Sequence, residues 1–373
     1  MKRNVWNLLT VAVFALLLLA VPLYWLIAPK KTFSEAERRN LAEPPKLSAQ
    51  KLSDWSFDDR TETYLADQLP LRNVLVCINA YATLFSGRQV STDVYCDTEG
   101  YLVEAPVRDA PEEVQKRVRR IAALGEKAGL KPYLIAVPST GFIRREKLPK
   151  PLAALYRDDA ILSGIETVGG VTLVPLLERF RTEGQTWYYR TDHHWTVDGA
   201  FAAYEAFMRS AGHEPFTRDA FSRREIAGYS GSTQSRSALF LHGTDTLELD
   251  EPKDCTVKVT FFGDDTVYDT LFFESHLLEY DWYPVFLDGN HPVTVIENES
   301  APSDAPALLL IKDSFGNSLA PLLVPSYRTI VMVDPRYYRQ SVLPLCEQYG
   351  IDEILCCYSL DHLTTDESLK ILK

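Results

Sequence analysis

Two short clusters hold the residue types that covalent acyl chemistry requires. In YYRTDHHWTVDGA, Tyr188 to Ala200, the carboxylate of Asp192 and the imidazole of His194 stand two residues apart. In an extended segment both side chains would leave the same face. A carboxylate beside an imidazole holds the neutral ring in one tautomer and stabilises the cation that forms when the ring takes a proton. The same pair also suits a plain structural loop bond, and Asp192, His193 and His194 are all metal-ligand types. Ligation is the weaker pattern, because adjacent histidines on a strand face opposite ways and no distant third ligand accompanies them. No metal and no cofactor is therefore expected. Thr196 or Asp198 stands where it can cap a following helix.

The second cluster is ALLLIKDSFGNS, Ala307 to Ser318. A serine at the carboxyl end of a buried strand, where a helix begins, has an exposed hydroxyl and lies beside backbone N–H groups without helical partners. Those groups can bind an oxyanion, which makes Ser314 a candidate nucleophile. Serine also caps helices in the same place, so position alone leaves both roles open. Asp313 reads as a turn residue pointing away. In FLDGNHP, Phe286 to Pro292, Gly289 and Asn290 are oxyanion-donor candidates, with a tight Asp-Gly turn as the plainer reading.

Both clusters need a rigid frame, and short apolar runs supply it. PYLIAVP (Pro132 to Pro138), VTLVPL (Val171 to Leu176), ALLLI (Ala307 to Ile311), TIVMV (Thr329 to Val333) and EILCCY (Glu353 to Tyr358) suit strands buried on both faces. Helical patterns lie between them, at Glu112 to Ala128 with a glycine stop at Gly129, at Val197 to Ala211 and at Ser318 to Leu323. Alternation of this kind predicts an α/β fold with a mostly parallel sheet flanked by helices. From about 213 to 300 the rhythm breaks into β-type alternation and turn signals at Gly243, Gly263 and Asp288-Gly289, a β-rich insertion. Residues from about 55 to 85 read as two helices separated at Pro70, with their Leu, Ile and Tyr stripe in the core.

The amino-terminal stretch from Val5 to Ala28 carries no charge and is long enough to cross about 30 Å of hydrocarbon. Leu26, Ile27, Ala28 and Pro29 make a poor cleavage context, so an uncleaved single-pass anchor is expected over residues 1–31. Residues 32–54 read as a tether, and 55–373 as one catalytic domain. Basic residues flank both sides of the span, and the positive-inside rule does not settle orientation. A formal charge of −12 opposes nucleic acid, whose recognition needs a basic stripe to displace counterions. The six cysteines lack metal-ligand or redox spacing; most are expected to pack as small apolar residues.

The anchor, SEAERRNLAEPP (Ser34 to Pro45), ADQLPLR (Ala66 to Arg72), VPSTGFIRREKLP (Val137 to Pro149), TDHHWT (Thr191 to Thr196) and KDSFGNS (Lys312 to Ser318) together resemble the DHHW family of bacterial surface proteins. More distantly they resemble SGNH-like acetyltransferases of the alginate O-acetylation type. The resemblance implies an SGNH-hydrolase-like fold in which Ser314 is the nucleophile, His194 its base and Asp192 the residue that orients His194. It departs from the SGNH pattern at Lys312, where a glycine commonly stands. It also implies a cell-membrane protein with an extracytoplasmic catalytic domain. The activity implied is O-acyl transfer, O-acetylation, or ester hydrolysis on a cell-surface or extracellular polysaccharide. A transferase of this kind needs a multispanning membrane partner to bring the acyl donor across. The alternative is a non-catalytic glycan-binding or polysaccharide-assembly protein. Aromatic residues Tyr188, Tyr189, Trp195, Trp282 and Tyr283 suit stacking on sugars in either case, and His193, Trp195 and Tyr283 join Gly289 and Asn290 as substrate or oxyanion candidates.

Overall fold

The computed structural model describes residues 2–45, 56–86, 93–107 and 110–372. The chain divides into two compact units, one of Met1–Arg88 with Ser235–Leu241 and one of Gln89–Gln234 with His242–Lys373.

In the smaller unit, helix α1 (Lys2–Ile27) runs without interruption. Its span Trp6–Ile27 is long and apolar enough to cross a membrane, a property shared by anchors and signal sequences, and none of it is buried. Of the expected tether, residues 46–54 lie outside the described residues. Residues Phe33–Ser34 and Arg39–Asn40 form a small antiparallel hairpin whose Arg39 grips the carboxylate of Asp67 through both terminal nitrogens, at 3.0 and 2.5 Å. Helices α2 (Ser56–Asp67) and α3 (Arg72–Phe85) follow, separated around Pro70, as proline's missing donor and fixed φ require. Most of the stripe on these helices is not core: Tyr64 and Ala80 are buried, but Leu71, Val74, Leu75, Ile78 and Phe85 are exposed. Helical spacing specifies that apolar residues share a face, and says nothing of what that face meets.

In the larger unit, helix α4 (Pro111–Ala128) presents Val114, Val118, Ile121 and Leu124 as one buried stripe and stops at Gly129, whose φ of +69° lies in the left-handed region that favours glycine. Seven strands build the main sheet: β1 (Tyr133–Val137), β2 (Thr172–Leu173), β3 (Val257–Phe261), β4 (Val293–Asn298), β5 (Ala307–Lys312), β6 (Thr329–Val333) and β7 (Glu353–Ser359), in the order β2-β1-β7-β5-β6-β4-β3. The first five in that order are mutually parallel, and β4 runs antiparallel to both its neighbours. The α/β expectation is met, and all five apolar runs are strands of this sheet.

Strand alternation divides the core. Leu309 and Ile311 of β5 pack with the α4 stripe and Leu134. Leu308 and Leu310 pack on the opposite face with Phe207 of helix α5 (Val197–Ala211) and Leu319 of helix α6 (Phe315–Leu323). Helices on both faces explain why β5 is apolar at every position from Ala307 to Ile311 rather than at alternate ones. Truncating Leu309 or Leu310 to alanine is expected to cost about 2–5 kcal/mol. The 213–300 stretch is β-rich: Phe221–Tyr229 pairs antiparallel with Asp245–Pro252 as a separate ribbon, while β3 and β4 extend the main sheet. All six cysteines are free thiols, with Cys356 and Cys357 buried in β7.

Candidate active site

Ser314 occupies the turn from β5 into α6, at the carboxyl edge of the central parallel strands. It sits at the helix N-cap, yet its side chain makes no capping bond. The hydroxyl lies 2.7 Å from Nε2 of His194 instead. His194 Nδ1 is 2.5 Å from Asp192 Oδ1. Residues 120 positions apart thus form one continuous hydrogen-bonded row, all of it buried: Ser314 is 8% exposed, His194 5% and Asp192 1%.

The loop bearing Asp192 and His194 is not the extended strand that their spacing suggested. It is a tight bend closed by an antiparallel bridge between Tyr188 and Trp195 and by Thr196 N–H donating to Trp187 O at 2.8 Å. Asp192 Oδ1 accepts from the backbone N–H of His194 at 2.9 Å as well as facing its ring. A side-chain-to-backbone turn, not strand alternation, sets the pair. Outside the bend, Asp245 accepts from Arg190 N–H and Thr191 N–H at 2.9 and 2.8 Å. Thr196 then caps α5, accepting from Gly199 N–H. The second oxygen of Asp192 accepts from Ser232 N–H at 2.6 Å, so three N–H donors converge on this one carboxylate.

That convergence needs Gly231. A Cβ there would lie 2.3 Å from Asp192 Cβ and 2.5 Å from Thr191 O, inside any allowed contact. Gly231 and Ser232 were not singled out from the sequence. The small-residue run Ser230-Gly231-Ser232-Thr233 was the available signal, since glycine marks places where backbones approach closely.

His194 lies flat against the ring of Tyr283, with centroids 3.7 Å apart and planes within 7°. Tyr283 Oη donates to Ser314 O or bonds Ser318 Oγ, at 3.3 and 3.1 Å. Ser318 Oγ also accepts from Trp195 Nε1 at 2.9 Å. The stack and these bonds fix the imidazole plane against α6. Most of the aromatic residues expected to stack on sugar therefore have another use: Tyr188, Tyr189, Trp195 and Tyr283 are buried. Trp282 is half-buried and stacks on Tyr229.

His193 and His194 do not face opposite ways, because the bend turns both rings to one side with centroids 3.9 Å apart. With Asp192 they bring possible ligand atoms within 4.8 Å of one another. A metal there would have to break the row: both ring nitrogens of His194 and both oxygens of Asp192 are engaged, and His193 Nδ1 bonds Ser232 Oγ at 2.9 Å. The donor set is already committed to hydrogen bonds, and a metal does not fit without dismantling it.

Burial, with His193 alongside, pushes His194 down to about 4 against the pull of Asp192. Its ring is neutral at pH 7 and able to accept a proton. Burial works to raise Asp192, but its histidine neighbours and converging donors hold it well below the usual carboxylate range. A buried carboxylate beside a neutral ring, with a hydroxyl on the ring's far nitrogen, is arranged for proton abstraction from that hydroxyl.

Asp313 does point away from Ser314, into a bracing role. It accepts from Phe315 N–H at 3.0 Å, from Ser359 N–H at 2.8 Å and lies 2.9 Å from His362 Nδ1. Burial opposes its charge, yet His362 and Ser359 hold it down at about 2. It joins the ends of β5 and β7 beneath the serine turn. Lys312, at the position where glycine was the commoner SGNH choice, is buried and lowered to about 8 by burial, with Asp334 resisting. Its Nζ donates to Asn290 Oδ1 at 2.9 Å, as does Asn317 Nδ2 at 3.1 Å. Asn290 Oδ1 is thereby held by residues from both sides of Ser314 in the chain, which leaves its amide N–H groups uncommitted. Gly289 N–H is occupied by Phe286 O at 3.1 Å, as in a tight turn, so Asn290 is the side chain of that pair with donors to offer.

Residues 160–333 match the model of the DHHW protein family. A DHHW family protein from Eubacterium siraeum is similar in structure, with 22% identity and a TM-score of 0.64, the match covering 75% of this chain and 97% of that one. Bacillus cereus PatB1 is similar at 23% identity and a TM-score of 0.61, covering 75% and 98%. PatB1 with a sulfonyl adduct matches at 22% identity with the same TM-score of 0.61 and the same coverage. No curated protein matches the sequence. These likenesses establish a shared α/β fold.

Proposed function

We propose that this chain is an O-acyltransferase or acetylesterase that works through an acyl-serine on Ser314, with a cell-surface or extracellular polysaccharide as acceptor or substrate. The observation that carries the reading is the row Ser314 Oγ to His194 Nε2 at 2.7 Å and His194 Nδ1 to Asp192 at 2.5 Å, built on a serine whose hydroxyl does not cap its helix.

In the first half-reaction, Ser314 Oγ attacks the acyl carbonyl as His194 Nε2 takes its proton. The oxyanion that forms is met by the backbone N–H of Ser314 itself and by the Asn290 amide, since the N–H groups of Phe315, Gly316 and Asn317 are already bonded to Asp313 and to Ser314 O. Collapse expels the leaving oxygen of the donor, which takes the proton from His194, and leaves the acyl group on Ser314. In the second, an acceptor hydroxyl attacks the acyl-serine, giving its proton to His194, and Ser314 departs with that proton. If water replaces the acceptor, the outcome is hydrolysis. Asp192 keeps its charge throughout and holds the Nδ1–H tautomer.

The sulfonyl adduct on the structurally similar PatB1 supports a nucleophile here, since sulfonyl reagents capture activated ones. Placement outside the cytoplasm, anchored by α1 and supplied by a multispanning acyl-donor partner, completes the proposal. The test is intact-mass and peptide-mass analysis of the protein after phenylmethylsulfonyl fluoride and, separately, after an activated acetyl ester. One adduct on Ser314 from each reagent is expected, with neither forming on the His194→Ala variant. Labelling elsewhere, or none on folded protein, overturns the mechanism.

A further inference from the structure

Helix α3 is unusual for a surface element. From Asn73 to Phe85 its sequence NVLVCINAYATLF has no charged residue. Leu71, Val74, Leu75, Ile78, Ala82 and Phe85 recur at helical spacing and all are exposed, the five larger ones between 49% and 85%. A contiguous apolar face facing water is costly, and in soluble proteins marks a surface that something covers.

Where that face sits is set by bonds within the smaller unit. Lys31 N–H donates to Gln68 Oε1 at 3.0 Å while Gln68 Nε2 donates to Lys31 O at 2.8 Å. The neighbouring Asp67 is gripped by Arg39 and accepts from Ala42 N–H at 2.8 Å, and Arg72 pairs with Glu37. Trp25, inside α1, meets Tyr64 of α2 edge-on at 6.0 Å. The start of α3 is thus fastened to the chain just past Ile27, the last residue of α1. Lys31 lies four residues beyond Ile27, at most about 14 Å away even if fully extended. One leaflet's polar layer is roughly 5–7 Å thick, so this reach puts the junction within or just above the headgroup layer.

We infer that the exposed face of α3 is a lipid-binding face, lying in the headgroup layer of the same bilayer that α1 crosses. The inference rests on α1 spanning a membrane. A protein partner is the poorer occupant, because the stripe has none of the Trp, Tyr or Arg anchors that carry interface energy. The face carries Leu, Val, Ile and Phe85, the apolar side of an interfacial helix; after Arg72 the helix has no charge of its own, and exposed Lys30 and Lys31 at its fastening point are the basic groups placed to meet lipid phosphates. Such a face would hold the smaller unit flat on the membrane rather than swinging on a tether.

The experiment uses the full chain in nanodiscs, with an environment-sensitive dye on Leu75→Cys, and in a second sample on Leu16→Cys of α1. The partly exposed native cysteines are replaced by serine. Lipids carry a nitroxide either near the headgroup or at mid-chain. The expected result is blue-shifted emission at position 75, quenched severalfold more by the headgroup nitroxide, while position 16 is quenched more by the mid-chain one. Water-like emission at 75 overturns the inference. So does blue-shifted emission that neither nitroxide quenches, because then protein covers the face. If position 16 escapes both quenchers, the anchor reading has failed and the α3 inference falls with it.

Discussion

Replacing Asp192 by asparagine asks whether the buried row works by proton direction or by packing alone. The substitution keeps shape and changes one oxygen into an NH₂ group. Three donors converge on the native carboxylate: His194 N–H at 2.9 Å and the His194 ring at 2.5 Å on one oxygen, Ser232 N–H at 2.6 Å on the other. An amide cannot satisfy all three. With its NH₂ toward His194, Nδ1 must become the acceptor, so the neutral ring carries its proton on Nε2 and can no longer accept from Ser314. With its NH₂ toward Ser232, two donors face each other in a site that is 1% exposed, at a cost of about 1–3 kcal/mol for the unmade bond.

The first orientation silences the base and also sets the NH₂ against the His194 backbone N–H, whereas the second keeps the tautomer and costs only the bond to Ser232. The wrong tautomer is worth up to about 10⁴-fold in serine proteases, equivalent to about 5.5 kcal/mol of barrier. Acylation rates with a chromogenic acetyl ester, measured beside thermal melting, separate the two. A loss of at least a thousandfold with a melting point within a few degrees of wild type is expected from the first. Retention of rate within tenfold by an Asp192→Asn protein with the wild-type melting point would refute the argument that Asp192 directs the proton.

The pH dependence follows from His194, whose proton affinity falls from an ordinary 6.5 to about 4. The neutral, base-competent ring survives down to that point, so the acid limb of kcat/KM should centre near 4; a limb centred near 6.5 would contradict the burial of the ring. The same depression means the unfolded chain takes up this proton first, so the His194 contribution to stability declines as pH falls through that window, and Ala at 194 should flatten that part of a melting-point profile. Gly231→Ala forces a Cβ to 2.3 Å from Asp192 Cβ; overpacking of this kind costs about 1–3 kcal/mol, and activity should fall more than stability does. For Tyr283, Phe keeps the 3.7 Å stack on His194 and should lose less than tenfold in kcat, whereas Ala frees the ring and should lose more than a hundredfold; equal losses would mean that the hydroxyl, not the stack, positions His194.

Periodicity and composition were enough to read the frame. The runs at Pro132, Ala307, Thr329 and Glu353 are apolar at consecutive positions because their strands are covered on both faces, and that signature is local; the run at Val171 gives only the short, half-buried edge strand Thr172–Leu173. The helix at Glu112 to Ala128 and its glycine stop are local in the same sense. Ser314 was legible as a candidate from its place after a buried strand, but only the fold, which leaves its hydroxyl off the helix cap and 2.7 Å from His194, separates nucleophile from helix cap; the Asp192–His194 spacing is itself short-range. What could not be read locally were the partners and the surroundings. Spacing suggested a strand for Asp192 to His194, whereas the segment bends, because Asp245 and Ser232 pull on it from 54 and 40 residues away. Tyr283 and Trp195 looked like sugar platforms, since an aromatic side chain carries no mark of whether a pocket or a neighbour will cover it. The α3 stripe looked like core for the same reason. A residue's type and spacing determine what it can do and which face it shares, but its occupant is chosen by chain segments far off in sequence, through contacts that exist only once the fold has closed.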